Sequence, residues 1–241
     1  MSISKNCKNY VNMFHRFLTP RKMYLVKWRD LQMKNESEIK EFYNVLLFSL
    51  PKETRPILRA VFFSIREGRP VSEDFLAKQT GIETKTVESV VEILAQRQMI
   101  VRGDNRKIVG ALGLSIIQTN NKIQMEGRTL FAWCAISTLE LSTALEADVD
   151  IHSSCAYTGE SIEVTVRNGK LEKVTPDSTV IWTVPFDSEA PWAGGTCKQI
   201  HYFSSVEHAN KWKEEHPKLH GEVMTLEQAL SFGNELKNFL S

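Results

Sequence analysis

Apolar residues fall at helical spacing through much of the first half of the chain. "SEIKEFYNVLLFSL" repeats them on one face from residue 37 and stops before Pro51, which predicts a helix there. "KETRPILRAVFFSIREG" predicts a second helix closed by Gly68. "SEDFLAKQTG" opens on Ser72 as an N-cap and ends on Gly81. "TKTVESVVEILAQRQ" places Val87, Val90, Val91 and Leu94 on one face. "MIVRGDNRKIVGAL" then predicts a hairpin turning at Gly103-Asp104-Asn105. Helix, glycine turn, helix and hairpin together compose a winged helix-turn-helix.

Beyond Gly113 the period changes from helical to alternating. "LSIIQTNNKIQMEG" alternates and turns at Asn120-Asn121, and "GRTLFAWCAISTLEL" leads into a helix of about three turns through Ala135, Ile136, Leu139 and Leu145. Strands are expected in "ADVDIHSS", "ESIEVTV", "KLEKVTP" and "DSTVIWTVP", with Asn168-Gly169 a hairpin signal. A Gly- and Pro-rich loop, "FDSEAPWAGGT", enters a further strand in "CKQIHYFSS". Two helices close the chain, with capping boxes expected at Ser204–Glu207 and Thr225–Gln228. The fold class is therefore α+β. A basic extension (1–36) precedes a winged-helix-like helical domain (37–112) and a mixed C-terminal catalytic domain (113–241) with mainly antiparallel strands.

Composition narrows the function classes. With 42% apolar and 24% charged residues in 241, the chain can bury a core, and it has no apolar run of membrane-spanning length. The charge-interrupted start lacks a secretory h-region, so a cytoplasmic protein without membrane association is expected. Four scattered cysteines (Cys7, Cys134, Cys155, Cys197) do not make a disulfide framework. The net charge of +1 hides a basic arm: residues 1–35 carry eight Lys or Arg against Asp30 alone. Such an arm suits nucleic acid or an acidic partner, or is simply solvated. The helix-turn-helix itself is poorly charged for DNA. Its second helix carries Glu83, Glu88 and Glu92 around Lys85, and only the wing, with Arg102, Arg106 and Lys107, is basic. A structural helix-turn-helix is expected, with no nucleic-acid partner.

Candidate chemistry centres on sulfur. Cys134 at a helix start feels the positive end of the dipole and unpaired amides, which lower a thiol pKa. Cys197 ends a glycine-rich loop, where backbone can approach a ligand closely. A zinc site is not expected, because no CxxC pair exists and Cys197 and His201, read in a strand, lie about 13 Å apart. His201 reads as a half-buried strand histidine, and His208, His216 and His220 as exposed. A Cys–His hydrolase would need a histidine beside Cys134, which spacing alone does not supply.

Three blocks, "GRTLFAWCAISTL", "SSCAYTGESIEVTV" and "GGTCKQIHYFSS", resemble the motifs of the organomercurial (alkylmercury) lyases, and the likeness runs from about residue 40 to the C-terminus. The resemblance implies a winged-helix-like N-terminal domain that does not bind DNA. It also implies protonolysis of the carbon–mercury bond of R–Hg⁺ to R–H and Hg²⁺, with no organic cofactor and mercury as substrate and product. By position, Cys134 and Cys197 would be the mercury-binding catalytic thiols and Cys155 a buried structural thiol. Mercuric reductase would be the transient acceptor of Hg²⁺. Thiolate is the soft ligand that suits soft mercury.

One position departs from the pattern. Where the family has an acid three residues after its first cysteine, this chain has Ser137. An aspartate can cycle a proton at neutral pH, whereas a serine hydroxyl alone is too weak an acid. Ser137 could still contact mercury or hold a water. Three outcomes stay open: a working lyase taking its proton from a cysteine thiol or a water relayed by Ser137, a slower lyase with another substrate range, or a mercury-sequestering protein. From a different class stands a winged-helix regulator sensing metal through Cys134 and Cys197.

Overall fold

The computed structural model describes residues 50–185 and 190–241, so the basic extension and the helix expected from residue 37 lie outside the described residues. Helix α1 (Thr54–Arg66) buries Ile57, Leu58, Val61, Phe62 and Ile65, the i, i+3/i+4 set of one face. Helix α2 (Glu73–Thr80) starts at Ser72, whose side chain accepts the Phe75 amide. It ends at Gly81, whose φ of +70° is the left-handed cap that glycine adopts without strain. Helix α3 (Thr84–Gln96) turns Val87, Val90, Val91 and Leu94 inward, as the spacing predicts. The wing is strand β1 (Ile100–Arg102) antiparallel to β2 (Ile108–Ala111).

The outward face of α3 remains acidic, with Glu83, Glu88 and Glu92 all exposed. In the wing, Arg102 is committed to Glu73 at 2.7 Å and to the Arg106 carbonyl at 2.8 Å. A phosphate would have to compete with both partners.

The wing does not stand apart. Strands β2 and β3 (Leu114–Ser115) pair, and β3 pairs with β5 (Arg128–Ala132). With β4 (Asn121–Met125), β6 (Val149–Ser154), β7 (Ser161–Arg167) and β8 (Lys170–Thr175) they make one antiparallel sheet, ordered β1-β2-β3-β5-β4-β6-β7-β8. Strand β7 alternates as a half-buried strand should, with Ile162, Val164 and Val166 inward. The β7–β8 hairpin turns at Asn168 and Gly169, both at positive φ. Between β5 and β6 lies helix α4 (Ala135–Leu145), three turns buried on nearly every side.

A second sheet, ordered β10-β9-β11, holds β9 (Val180–Thr183) between β10 (His201–Phe203) and β11 (Glu222–Met224), again antiparallel. Helices α5 (Val206–Glu215), α6 (Leu226–Ser231) and α7 (Gly233–Leu240) complete the chain, and α6 and α7 pack on α4. Among the described residues no helix is long and apolar enough to cross a membrane.

Three local expectations change. Cys197 lies not at a strand but in a short 3-10 helix, Thr196–Gln199, and the strand begins only at His201. The cap of α5 is Ser205, which accepts the His208 amide. Ser204 instead bonds the His208 ring at Nδ1, so His208 is half-buried rather than free in solvent. The turn leading into β5 falls at Glu126-Gly127, and the Asn120-Asn121 stretch instead begins strand β4. The Thr225–Gln228 capping box is present in both directions.

Candidate active site

Strand β5 runs into α4 through Trp133 and Cys134. The Trp133 amide donates to the Gly113 carbonyl at 2.8 Å, which fixes where the strand stops. Cys134 then takes the extended N-cap conformation (φ −149°, ψ 174°), so its sulfur sits over the open first turn of the helix. The amides of Ile136 and Ser137 face it, short of formed cap bonds. One turn on, the Ser137 hydroxyl lies 3.2 Å from the Cys134 sulfur.

Gly113 makes room for this arrangement. It has φ +88°, and an added Cβ would lie 2.5 Å from the Ser137 oxygen and 2.8 Å from its Cβ. No larger residue fits that turn without moving Ser137.

Cys197 arrives from the far side of the chain. The Pro191–Cys197 loop folds back on itself, with the Thr196 amide on the Pro191 carbonyl at 3.0 Å and the Cys197 amide on the Trp192 carbonyl at 2.9 Å. Gly195 must be glycine, because a Cβ there would overlap the Pro191 carbonyl. Strand β10, which continues from Cys197, is locked to α4 by Tyr202. Its hydroxyl meets Thr138 at 2.6 Å while Thr138 donates to the Ala135 carbonyl at 2.7 Å.

These elements bring Cys134, Cys197 and Ser137 together, each almost wholly buried (2%, 8% and 4% exposed). Cys134 and Cys197 are free thiols hydrogen-bonded to each other. The Cys134 pKa is held below the ordinary thiol value. The Cys197 thiol's hydrogen bond to its sulfur does most of this; burial opposes it, and the Ser137 hydroxyl and the helix amides add to the lowering. Cys197 is pushed well up, first because it donates that bond, then by burial and by the charges of Cys134 and Glu140. Of the two, Cys134 is therefore the thiol that ionises first, and Cys197 the one that keeps its proton longer. Tyr202 is held protonated chiefly by burial.

Cys155 is apart from this pair, buried at the β6 end. Burial raises its pKa, but hydrogen bonds with Thr158 and Ser204 outweigh that and bring it to about 7. His201 is half-buried, and desolvation lowers its pKa. Among the described residues, no three His, Cys, Asp or Glu side chains converge as a metal cage.

Sequence reasoning did not single out Glu140. It is 6% exposed, and burial raises its carboxyl to about 8, so it is neutral at physiological pH. The signal was present: Glu140 is the only charged residue between Arg128 and Glu146, inside an otherwise apolar helix. Tyr202 and Thr138 gave no such signal.

What this arrangement can do chemically is hold a soft, two-coordinate metal between two sulfurs, one of which ionises more readily than the other. The family described as alkylmercury lyase matches residues 114–238. An alkylmercury lyase of Staphylococcus epidermidis is 31% identical over 76% of this chain and 80% of its own length. One of Pseudomonas putida is 28% identical over 76% of this chain and 84% of its own. Among solved structures, the crystal structure of the mercury-bound form of MerB2 is 80% identical. It covers 86% of this chain and 100% of its own, at a TM-score of 0.84.

Proposed function

We propose how this chain, which belongs to the alkylmercury lyase family, cleaves the carbon–mercury bond of an organomercurial: its two thiols bind mercury, and one of them also supplies the proton. The observation that carries this reading is the buried, hydrogen-bonded Cys134–Cys197 pair, in which Cys134 gives up its proton more readily than Cys197.

The Cys134 thiolate, stabilised by the Ser137 hydroxyl at 3.2 Å and the helix N-terminus, forms the first sulfur–mercury bond with R–Hg⁺. The Cys197 sulfur then bonds the same mercury. Its proton passes to the carbon, which leaves as R–H with the electron pair of the carbon–mercury bond. In this second step one S–H and one C–Hg bond break while one S–Hg and one C–H bond form, in addition to the S–Hg bond already made by Cys134, and mercury remains Hg(II) throughout. Two sulfur donors raise the electron density on the metal and weaken its bond to carbon. Burial of both thiols excludes the water that would otherwise compete for the proton and the metal.

In this scheme Ser137 needs no acidity of its own. It stabilises the thiolate and lies where it can touch mercury or pass the proton on. Glu140, protonated at physiological pH and near enough to Cys197 to act on it once ionised, is placed to resupply a proton after turnover. No organic cofactor enters the scheme. The Hg²⁺ product, held between two buried sulfurs, leaves by thiol exchange, and we take a protein dithiol such as that of mercuric reductase as the acceptor. A reducing cytoplasm suits the three free cysteines among the described residues.

Incubation of the reduced protein with phenylmercury and excess thiol tests the reading through the benzene formed. Ser137→Asp, which restores the carboxyl of the family pattern, is the informative partner. In a single turnover both forms release benzene, the aspartate form faster. Benzene from the aspartate form alone would reduce the natural chain to a mercury binder.

A further inference from the structure

The loop that carries Cys197 is held by the helix-turn-helix half. Helix α3 ends at Arg97, and the chain leaves it through Gln98 at φ +52°, a left-handed conformation uncommon outside glycine. That turn points two carbonyls and one side chain at the same target. The Trp192 amide donates to the Arg97 carbonyl at 3.1 Å and the Ala193 amide to the Gln98 carbonyl at 3.3 Å. The Gly194 amide donates to the Gln98 Oε1 at 2.6 Å. Three successive loop amides thus meet two residues almost a hundred positions earlier. An added Cβ at residue 194 would lie 2.3 Å from the Gln98 amide oxygen, so the Gln98 side chain would have to leave its bond to the loop.

The same turn reaches the other thiol. The Met99 carbonyl accepts the Leu112 amide at 3.1 Å, and Leu112 leads into Gly113. Gly113 in turn receives the Trp133 amide and abuts Ser137. One short piece of backbone, Arg97–Met99 with Leu112–Gly113, is therefore bonded to the segment before Cys134 and to the loop before Cys197.

We propose that Gln98 is a positioning residue for Cys197, and that the helix-turn-helix half exists in this chain to set the spacing between the two sulfurs. The inference rests on the reading of Cys134 and Cys197 as the mercury ligands. It gives the winged-helix element a task that needs no DNA. Gln98 touches neither mercury nor the reacting carbon; it acts through Gly194 and the loop.

Three variants test it. Gln98→Ala removes the side-chain acceptor, Gln98→Glu keeps an oxygen for the Gly194 amide, and Gly194→Ala attacks the clamp from the loop side. For each, Hg²⁺ retention per folded protein is measured against a competing small dithiol, alongside benzene release from phenylmercury and a thermal melt. With the second sulfur misplaced, two-point binding degrades toward one-point binding. Gln98→Ala and Gly194→Ala are then expected to hold Hg²⁺ about tenfold less tightly or worse and to lose turnover in proportion. One equivalent of phenylmercury should still be captured on Cys134, and Gln98→Glu should regain most of the lost retention. A purely structural role would lower the melting temperature without changing retention per folded molecule. Retention equal to that of the unsubstituted protein in Gln98→Ala and Gly194→Ala, or equal losses in Gln98→Ala and Gln98→Glu, overturns the proposal. If Gln98→Ala does not fold, Gly194→Ala and Gln98→Glu decide. If the unsubstituted protein itself makes no benzene, the lyase reading fails instead, and the retention series still judges the clamp.

Discussion

The two thiols of the site are held in opposite ways. Cys134 sits where a strand becomes a helix, and apart from the Cys197 thiol itself, what tunes it lies within a few residues: the Trp133 anchor, the first-turn amides, and Ser137 one turn away. Cys197 sits in a loop with no regular structure ahead of it, placed by tethers from Arg97, Gln98 and Tyr202. The local design favours the thiolate, because the Ser137 hydroxyl and the helix amides add to the hydrogen bond from Cys197. The tethered sulfur donates that hydrogen bond and is buried, so it holds its proton longer. A protonolysis with Ser137 at this position draws on that asymmetry.

Substitutions at the thiols separate the two roles and should have the largest effect. Cys134→Ser is expected to lose both capture of phenylmercury and release of benzene. Cys197→Ser should still capture one equivalent yet release no benzene. Mass spectrometry of the intact protein, together with headspace benzene, distinguishes the two. Identical behaviour of both variants would remove the asymmetry.

Next in size is Gly113→Ala. It places a Cβ on the Ser137 oxygen at a residue with φ +88°, so a loss of about 2–3 kcal/mol is expected by urea unfolding, with a drop in kcat. Stability and kcat within error of the unsubstituted protein would mean that Ser137 tolerates displacement.

Glu140→Gln acts through pH. In the unfolded chain the carboxyl ionises near 4.5, and in the fold only near about 8. Below 4.5 both states are protonated and burial costs no ionisation. Between these values the unfolded chain alone gives up the proton. This group therefore lowers stability as pH rises, by about 1.4 kcal/mol per pH unit, levelling off once the folded state ionises too. Urea midpoints should fall with pH for the natural chain and much less for Glu140→Gln; parallel profiles would contradict the buried-acid assignment. Smallest is Tyr202→Phe, which removes one buried hydrogen bond to Thr138. A cost of about 1 kcal/mol and a modest loss of turnover are expected by thermal melting and benzene assay.

The same local-versus-tethered division explains what was legible in the sequence. The α3 core face, the Asn168-Gly169 hairpin, the Thr225 capping box and the helix start at Cys134 are set by residues within a turn or two of one another. Periodicity and turn chemistry report them directly. The 3-10 turn at Cys197 follows from folded-back loop amides and two glycines whose Cβ space is taken, and no periodic pattern encodes that. The exchange of roles between Ser204 and Ser205 depends on the His208 ring, which offers Ser204 a better partner than the helix amide. Nearness of Cys134 to Cys197 came from the family resemblance alone. In the fold it depends on Tyr202–Thr138 and on Gln98–Gly194, both long-range pairs. Glu140 was readable as a lone charge in an apolar helix, but its neutral state depends on burial, which spacing does not report.

The central claim is that this chain breaks the carbon–mercury bond with its own two sulfurs and the proton that Cys197 carries. The most direct test mixes reduced protein with one equivalent of phenylmercury in the absence of any added thiol. Benzene is then quantified, along with the mercury left on the protein. The account predicts about one benzene per protein, with Hg²⁺ retained between Cys134 and Cys197. Phenylmercury bound stably and intact, with no benzene formed, would contradict it.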